Sequence, residues 1–163
     1  MAEGKYGKYI RTQSVKGPPR GKLAFHSDDF NAGVSRPADQ PRSAPRPGSG
    51  IYLNQQAFPE CPVYVSIQRT SEAPAKQPFL LGHKHADVDE IIMFVAAGPD
   101  ADLGTTVTFY MGEEGEKYEF SETTVIYAPA GVFHGPMFYA SPFKPGKEFY
   151  LIVYLNSPDY PMQ

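Results

Sequence analysis

Tryptophan is missing from this chain, and cysteine occurs once, as Cys61. With a single thiol no intrachain disulfide can form, so the fold must be held by its own core, in keeping with a reducing compartment. Flanked by Pro59, Glu60 and Pro62, Cys61 is expected to be a small buried hydrophobe. Long apolar runs are also missing: the longest, Ile91 to Ala97, falls far short of the roughly 20 residues that span a bilayer. The opening MAEGKYGKYI has no apolar stretch of the kind a secretory signal requires, so the expectation is a cytoplasmic protein with no membrane partner. Glycine-rich phosphate loops and a Gly-x-Ser-x-Gly nucleophile elbow are absent. No segment sustains an apolar period of helical spacing, which argues against a helix bundle.

What is present divides into two textures. Residues 1–49 are rich in Pro, Gly, Ser and charge, as in SRPADQPRSAPRPGSG, and proline there removes backbone donors and fixes φ. This stretch is expected to be an extended or partly disordered arm, with Leu23, Ala24 and Phe25 as an anchor. It carries nine Lys and Arg against four Asp and Glu, whereas residues 50–163 carry six against fourteen. An acidic body excludes nucleic acid as the main partner, because phosphate binding needs concentrated positive charge. The basic arm is expected to pack on its own acidic body or on a neighbouring subunit.

From residue 50 onward, short runs of β-branched and aromatic residues alternate with turn formers. Candidate strands lie at 51–53, 62–69, 79–85, 90–96, 105–111, 117–120, 124–128, 132–139 and 148–156. Val63, Val65 and Ile67 share one face, with Tyr64, Ser66 and Gln68 on the other. Many short strands without long helices predict an all-β fold, an antiparallel sandwich or barrel, over 50–163.

Three of the four histidines fall into two motifs. In His83-Lys84-His85-Ala86-Asp87-Val88-Asp89-Glu90, a strand would point both imidazoles to one face, with Lys84 turned away. Glu90 would return to that face across an Ala-Asp-Val-Asp turn. In Pro129-Ala130-Gly131-Val132-Phe133-His134, proline stops one strand, Gly131 permits a sharp turn, and His134 begins the next. Three imidazoles and one carboxylate suit a divalent transition metal: iron, manganese, nickel, copper or zinc.

The order HxHx4E followed by PxGxxH resembles the two motifs of the cupin superfamily, over roughly residues 60–156. The resemblance implies a cupin-type antiparallel β-barrel or jelly roll, with His83, His85, Glu90 and His134 as the metal ligands. Gln77, Gly98 and Phe138 depart from the usual framing residues, which marks an outlying branch. Four protein ligands on a six-coordinate ion leave two positions for water, oxygen or substrate. The resemblance further implies a metal-dependent enzyme acting on a small polar or carboxylated metabolite, of oxygenase, isomerase, lyase or decarboxylase type. The alternative is a non-catalytic binding module with a regulatory or storage role. Single-domain cupins tend to dimerise, so a homodimer is expected, with the arm at its interface.

Around the four ligands, strand parity puts Ile92 and Phe94 on the face of Glu90, making Phe94 a candidate pocket wall. Tyr127 is a candidate acid–base residue beside the metal, and Arg69 a candidate partner for a substrate carboxylate. His26, beside two aspartates, reads as a surface residue, and the cluster Glu113-Glu114-Gly115-Glu116 as a solvated hairpin.

Overall fold

The computed structural model describes residues 4–12, 50–55, 57–71, 78–158 and 160. His26, Gln77, the Leu23 to Phe25 anchor and most of the arm lie outside these residues.

The described chain is built from antiparallel strands, with a 3-10 turn at Gly7–Tyr9. In chain order they are β1 (Ile10–Thr12), β2 (Gly50–Leu53), β3 (Tyr64–Thr70), β4 (Glu90–Ala96), β5 (Asp102–Met111), β6 (Glu116–Glu122), β7 (Thr124–Ala128), β8 (His134–Tyr139) and β9 (Phe149–Leu155). Six strands form one sheet in the order β1-β7-β4-β9-β3-β2, and three form the other in the order β6-β5-β8. This is the all-β antiparallel jelly roll expected of a cupin-type fold.

The core lies between the two sheets. Period-2 alternation turns Ile92 and Phe94 of β4 inward with Phe149, Leu151 and Val153 of β9, against Val107, Phe109, Met111 and Met137 of the smaller sheet. Each such side chain contributes about 1.5–3 kcal/mol by leaving water. Tyr64, Ser66, Gln68 and Thr70 of β3 are the exception, since the polar face of that strand is the buried one.

Two expectations change here. Segment 79–85 makes no continuous strand, only isolated antiparallel bridges, Leu80 with Met137 and His83 with His134. The Leu81 carbonyl is one reason, because it accepts a hydrogen bond from the His83 ring instead of joining a ladder. Conversely, the start of the basic stretch is structured. Ile10–Thr12 pairs with Ile126 to Thr124, so β1 extends the larger sheet and the body does not begin at residue 50. The Lys5 backbone N–H donates to Glu116 Oε1, and its ammonium pairs with Glu114 at 2.9 Å, so this stretch packs on the acidic body. Those glutamates lie in the turn and at the start of β6 in the β5–β6 hairpin, where the sequence predicts a hairpin. Cys61 is half-buried, its thiol directed to the Val63 carbonyl.

Candidate metal centre

Glu90 opens β4, and His134 opens β8 on the opposite sheet. Between them runs the segment carrying His83 and His85. His83 and His134 exchange both backbone hydrogen bonds, at 2.9 and 2.8 Å, and the Gly131 N–H donates to the His85 carbonyl at 2.7 Å. The two histidine motifs are thus zipped together through the main chain. Gly135 makes the approach possible: its φ is +78°, and a Cβ there would lie 2.9 Å from the Leu81 carbonyl oxygen.

The four side chains converge in a buried place. Ligand atoms of His83, His85, Glu90 and His134 lie within 4.8 Å of one another, and all four residues are buried. Glu90 Oε2 is 2.6 Å from His134 Nε2, 3.0 Å from His85 Nε2 and 3.7 Å from His83 Nε2. The tautomers of two rings follow from their partners. His83 Nδ1 donates to the Leu81 carbonyl and His134 Nδ1 to the Val132 carbonyl, each at 2.9 Å, and a carbonyl can only accept. The neutral form of each ring therefore presents a bare Nε2 lone pair to a carboxylate oxygen. Two acceptors at such distances repel unless a proton or a cation lies between them.

Burial alone would push the Glu90 carboxyl up; when the rings of His134, His83 and His85 carry a proton on the inward nitrogen, the bonds they donate outweigh burial and hold the group well below the usual range, and a cation in the place of those protons would act in the same direction. Burial pushes the His83 imidazole down, toward the neutral form that a metal requires. One carboxylate and three imidazoles, buried together, are a donor set able to hold a divalent transition ion.

The other sequence candidates stand elsewhere. Tyr127 faces outward from β7, because Ala128 is the residue in register with Glu90. Its hydroxyl donates to Asp89 Oδ2 at 2.6 Å on the outer surface, and its ring meets Tyr9 edge-on. Tyr127 therefore does not stand among the four ligands, and the expectation of an acid–base residue there is corrected. Arg69 is exposed and paired with Glu148 at 2.5 Å, so it too points away from the interior. Phe94 does face inward, four residues from Glu90, but it packs against Phe120 and Phe149 in the core. Lys84 turns away from the ligands, as expected, and pairs with Glu113.

A residue that sequence reasoning passed over completes the site. Tyr160, beyond β9, places its hydroxyl 2.9 Å from His83 Nε2 and 3.0 Å from Glu90 Oε1. Its ring lies edge-on to His85, with centroids 5.0 Å apart, and leans on Tyr64. No motif precedes Tyr160, and only the fold brings it there.

No protein-family model matches the sequence, and no curated protein matches it. Among solved structures, the chain is similar to the formate complex of an oxalate decarboxylase from Lactobacillus farciminis, at 11% identity and a TM-score of 0.46 over 71% of this chain and 30% of that one. It is similar to a cupin 2 domain-containing protein from Halorhodospira halophila, at 8% identity and a TM-score of 0.48 over 71% of this chain and 68% of that one. It is also similar to Peruvianin-I, a cysteine peptidase from Thevetia peruviana latex, at 11% identity and a TM-score of 0.47 over 91% of this chain and 85% of that one. The chain thus spans less than a third of the decarboxylase. Its own two antiparallel sheets, with the HxHx4E and PxGxxH residues meeting between them, give it a cupin-type fold.

Proposed function

We propose that this chain is a metal-dependent enzyme acting on a small polar or carboxylated metabolite at one divalent ion held by His83, His85, Glu90 and His134. The observation that carries the reading is the convergence of two carbonyl-locked imidazoles, a third imidazole and a carboxylate in a buried site. A bound divalent ion supplies Lewis acidity there, polarising a carbonyl or hydroxyl oxygen. The protein's part is to fix the donors and exclude water. The polar wall of β3 supports a polar ligand: Ser66 and Gln68 are buried behind Tyr64, and Gln68 Oε1 and Thr70 Oγ1 have no hydrogen-bond partner among the described residues. Oxygenase, isomerase, lyase and decarboxylase chemistry all fit such a centre.

The second reading, a non-catalytic metal or ligand module, is favoured by one feature. The four ligands are buried and Tyr160 lies over them, as in a closed site. A manganese-loaded sample titrated with a panel of small mono- and dicarboxylates separates the two. The enzyme reading expects ligands that change the Mn(II) resonance and are turned over; binding without turnover supports the module, and no response to any ligand contradicts the enzyme reading.

Homodimerisation belongs to the same proposal. The outer face of the larger sheet presents Val65, Ile67, Met93, Val95 and Ile152 half-buried, and β2 leaves an edge with Ile51 exposed. No helix among the described residues is long and apolar enough to cross a membrane. A cytoplasmic location remains part of the proposal.

A further inference from the structure

We propose that Tyr160 is a fifth protein donor to the metal, its phenol oxygen filling one of the two positions that His83, His85, Glu90 and His134 leave open. The inference rests on the metal-centre reading above and adds a ligand to it.

Spacing is the first argument. Two donors on neighbouring positions of one ion, with bonds of about 2.0–2.2 Å at right angles, lie about 3 Å apart. Tyr160 Oη is 2.9 Å from His83 Nε2 and 3.0 Å from Glu90 Oε1, and His85 Nε2 is 3.0 Å from Glu90 Oε2. The phenol oxygen therefore stands as near to His83 and to Glu90 as His85 stands to Glu90.

Proton supply is the second. Tyr160 has one O–H, and two acceptors face it. One is Glu90 Oε1; the other is His83 Nε2, whose ring has already committed its proton at Nδ1 to the Leu81 carbonyl. A single proton serves one acceptor and leaves the other opposed to an oxygen lone pair. A cation at the point of convergence satisfies all three atoms. On coordination the O–H bond is exchanged for an oxygen–metal bond, and the proton leaves to solvent.

Placement is the third. The ring of Tyr160 is held edge-on to His85 and tilted on Tyr64 and His83, with centroids 5.0, 5.1 and 5.7 Å apart. These contacts aim the hydroxyl into the cluster. A centre with five protein donors keeps one open position, and a bidentate substrate would have to displace the tyrosine.

The test uses ferric iron, supplied as a weak chelate to the metal-free full chain. A phenolate on Fe(III) gives a visible charge-transfer absorption, and resonance Raman excited in that band shows phenolate ring vibrations. The wild type is expected to take up one ion and to show both signals, Y64F to keep them, and Y160F to take up one ion without them. If Y160F takes up no iron, the wild-type Raman spectrum together with the retained signals of Y64F decides for Tyr160. Iron bound by the wild type without the band overturns the fifth donor and leaves the four-ligand centre standing, as does a band that persists in Y160F. Failure of the wild type to bind any iron overturns both.

Discussion

His83 and His134 form a two-residue antiparallel bridge between parts of the chain that are otherwise distant: each backbone N–H donates to the other's carbonyl, and their rings stand 4.4 Å apart. Two such bonds contribute about 0.5–1.5 kcal/mol each. Their larger effect is positional. Main-chain pairing sets where the rings start, and the carbonyls of Leu81 and Val132 set which nitrogen each ring turns inward. The donor set is therefore arranged before any ion arrives.

Gly135→Ala tests that arrangement. The new Cβ would meet Leu81 O at 2.9 Å and Gly82 Cα at 3.1 Å, on a residue held at φ +78°. Both are backbone atoms and cannot turn aside. Urea denaturation should show a loss of about 1–3 kcal/mol. A change under about 0.5 kcal/mol would contradict the close approach.

Tyr127→Phe tests the outward course of β7. It removes the bond to Asp89 on the outer face and nothing from the metal cluster. Stability should change by less than about 0.5 kcal/mol, and metal content should not change. Loss of bound metal in this variant would return Tyr127 to the interior.

Asp102 gives a pH dependence outside the site. Its Oδ2 pairs with Lys144 at 2.8 Å and its Oδ1 accepts the Gly104 N–H, and these bonds hold its carboxyl below the ordinary 3.8. A carboxylate whose folded pKa is depressed stabilises fully above its unfolded pKa, and that stability is lost as pH falls through the folded value. Denaturation midpoints of the wild type and Asp102→Asn should therefore differ most above pH 4 and draw together as pH falls below 3.8, with a difference under about 1 kcal/mol. A gap that widens on acidification would contradict the bond.

Much of this was legible in the sequence for a physical reason. Glu90-Ile91-Ile92-Met93-Phe94 could be read as a strand because β-branched and aromatic residues fill a buried sheet, and its parity was right. The turn back to Glu90 and the Pro-Gly corner before His134 were readable because proline and glycine leave few backbone choices. Tyr127 misled because parity along β7 depends on the register against β4, which no local pattern encodes. Strand β1 was hidden by its three-residue length and by the lysines and glycines just before it, and Tyr160 by having no motif, since only tertiary packing gives either its place.

Elemental analysis of protein purified without added metal, beside His134→Ala, is the most direct measurement. The His3Glu centre predicts about one transition ion per chain in the wild type and near-total loss in the variant, because Glu90 then keeps one imidazole fewer. Equal metal in both, or none in the wild type even after incubation with iron, manganese or zinc, would contradict it.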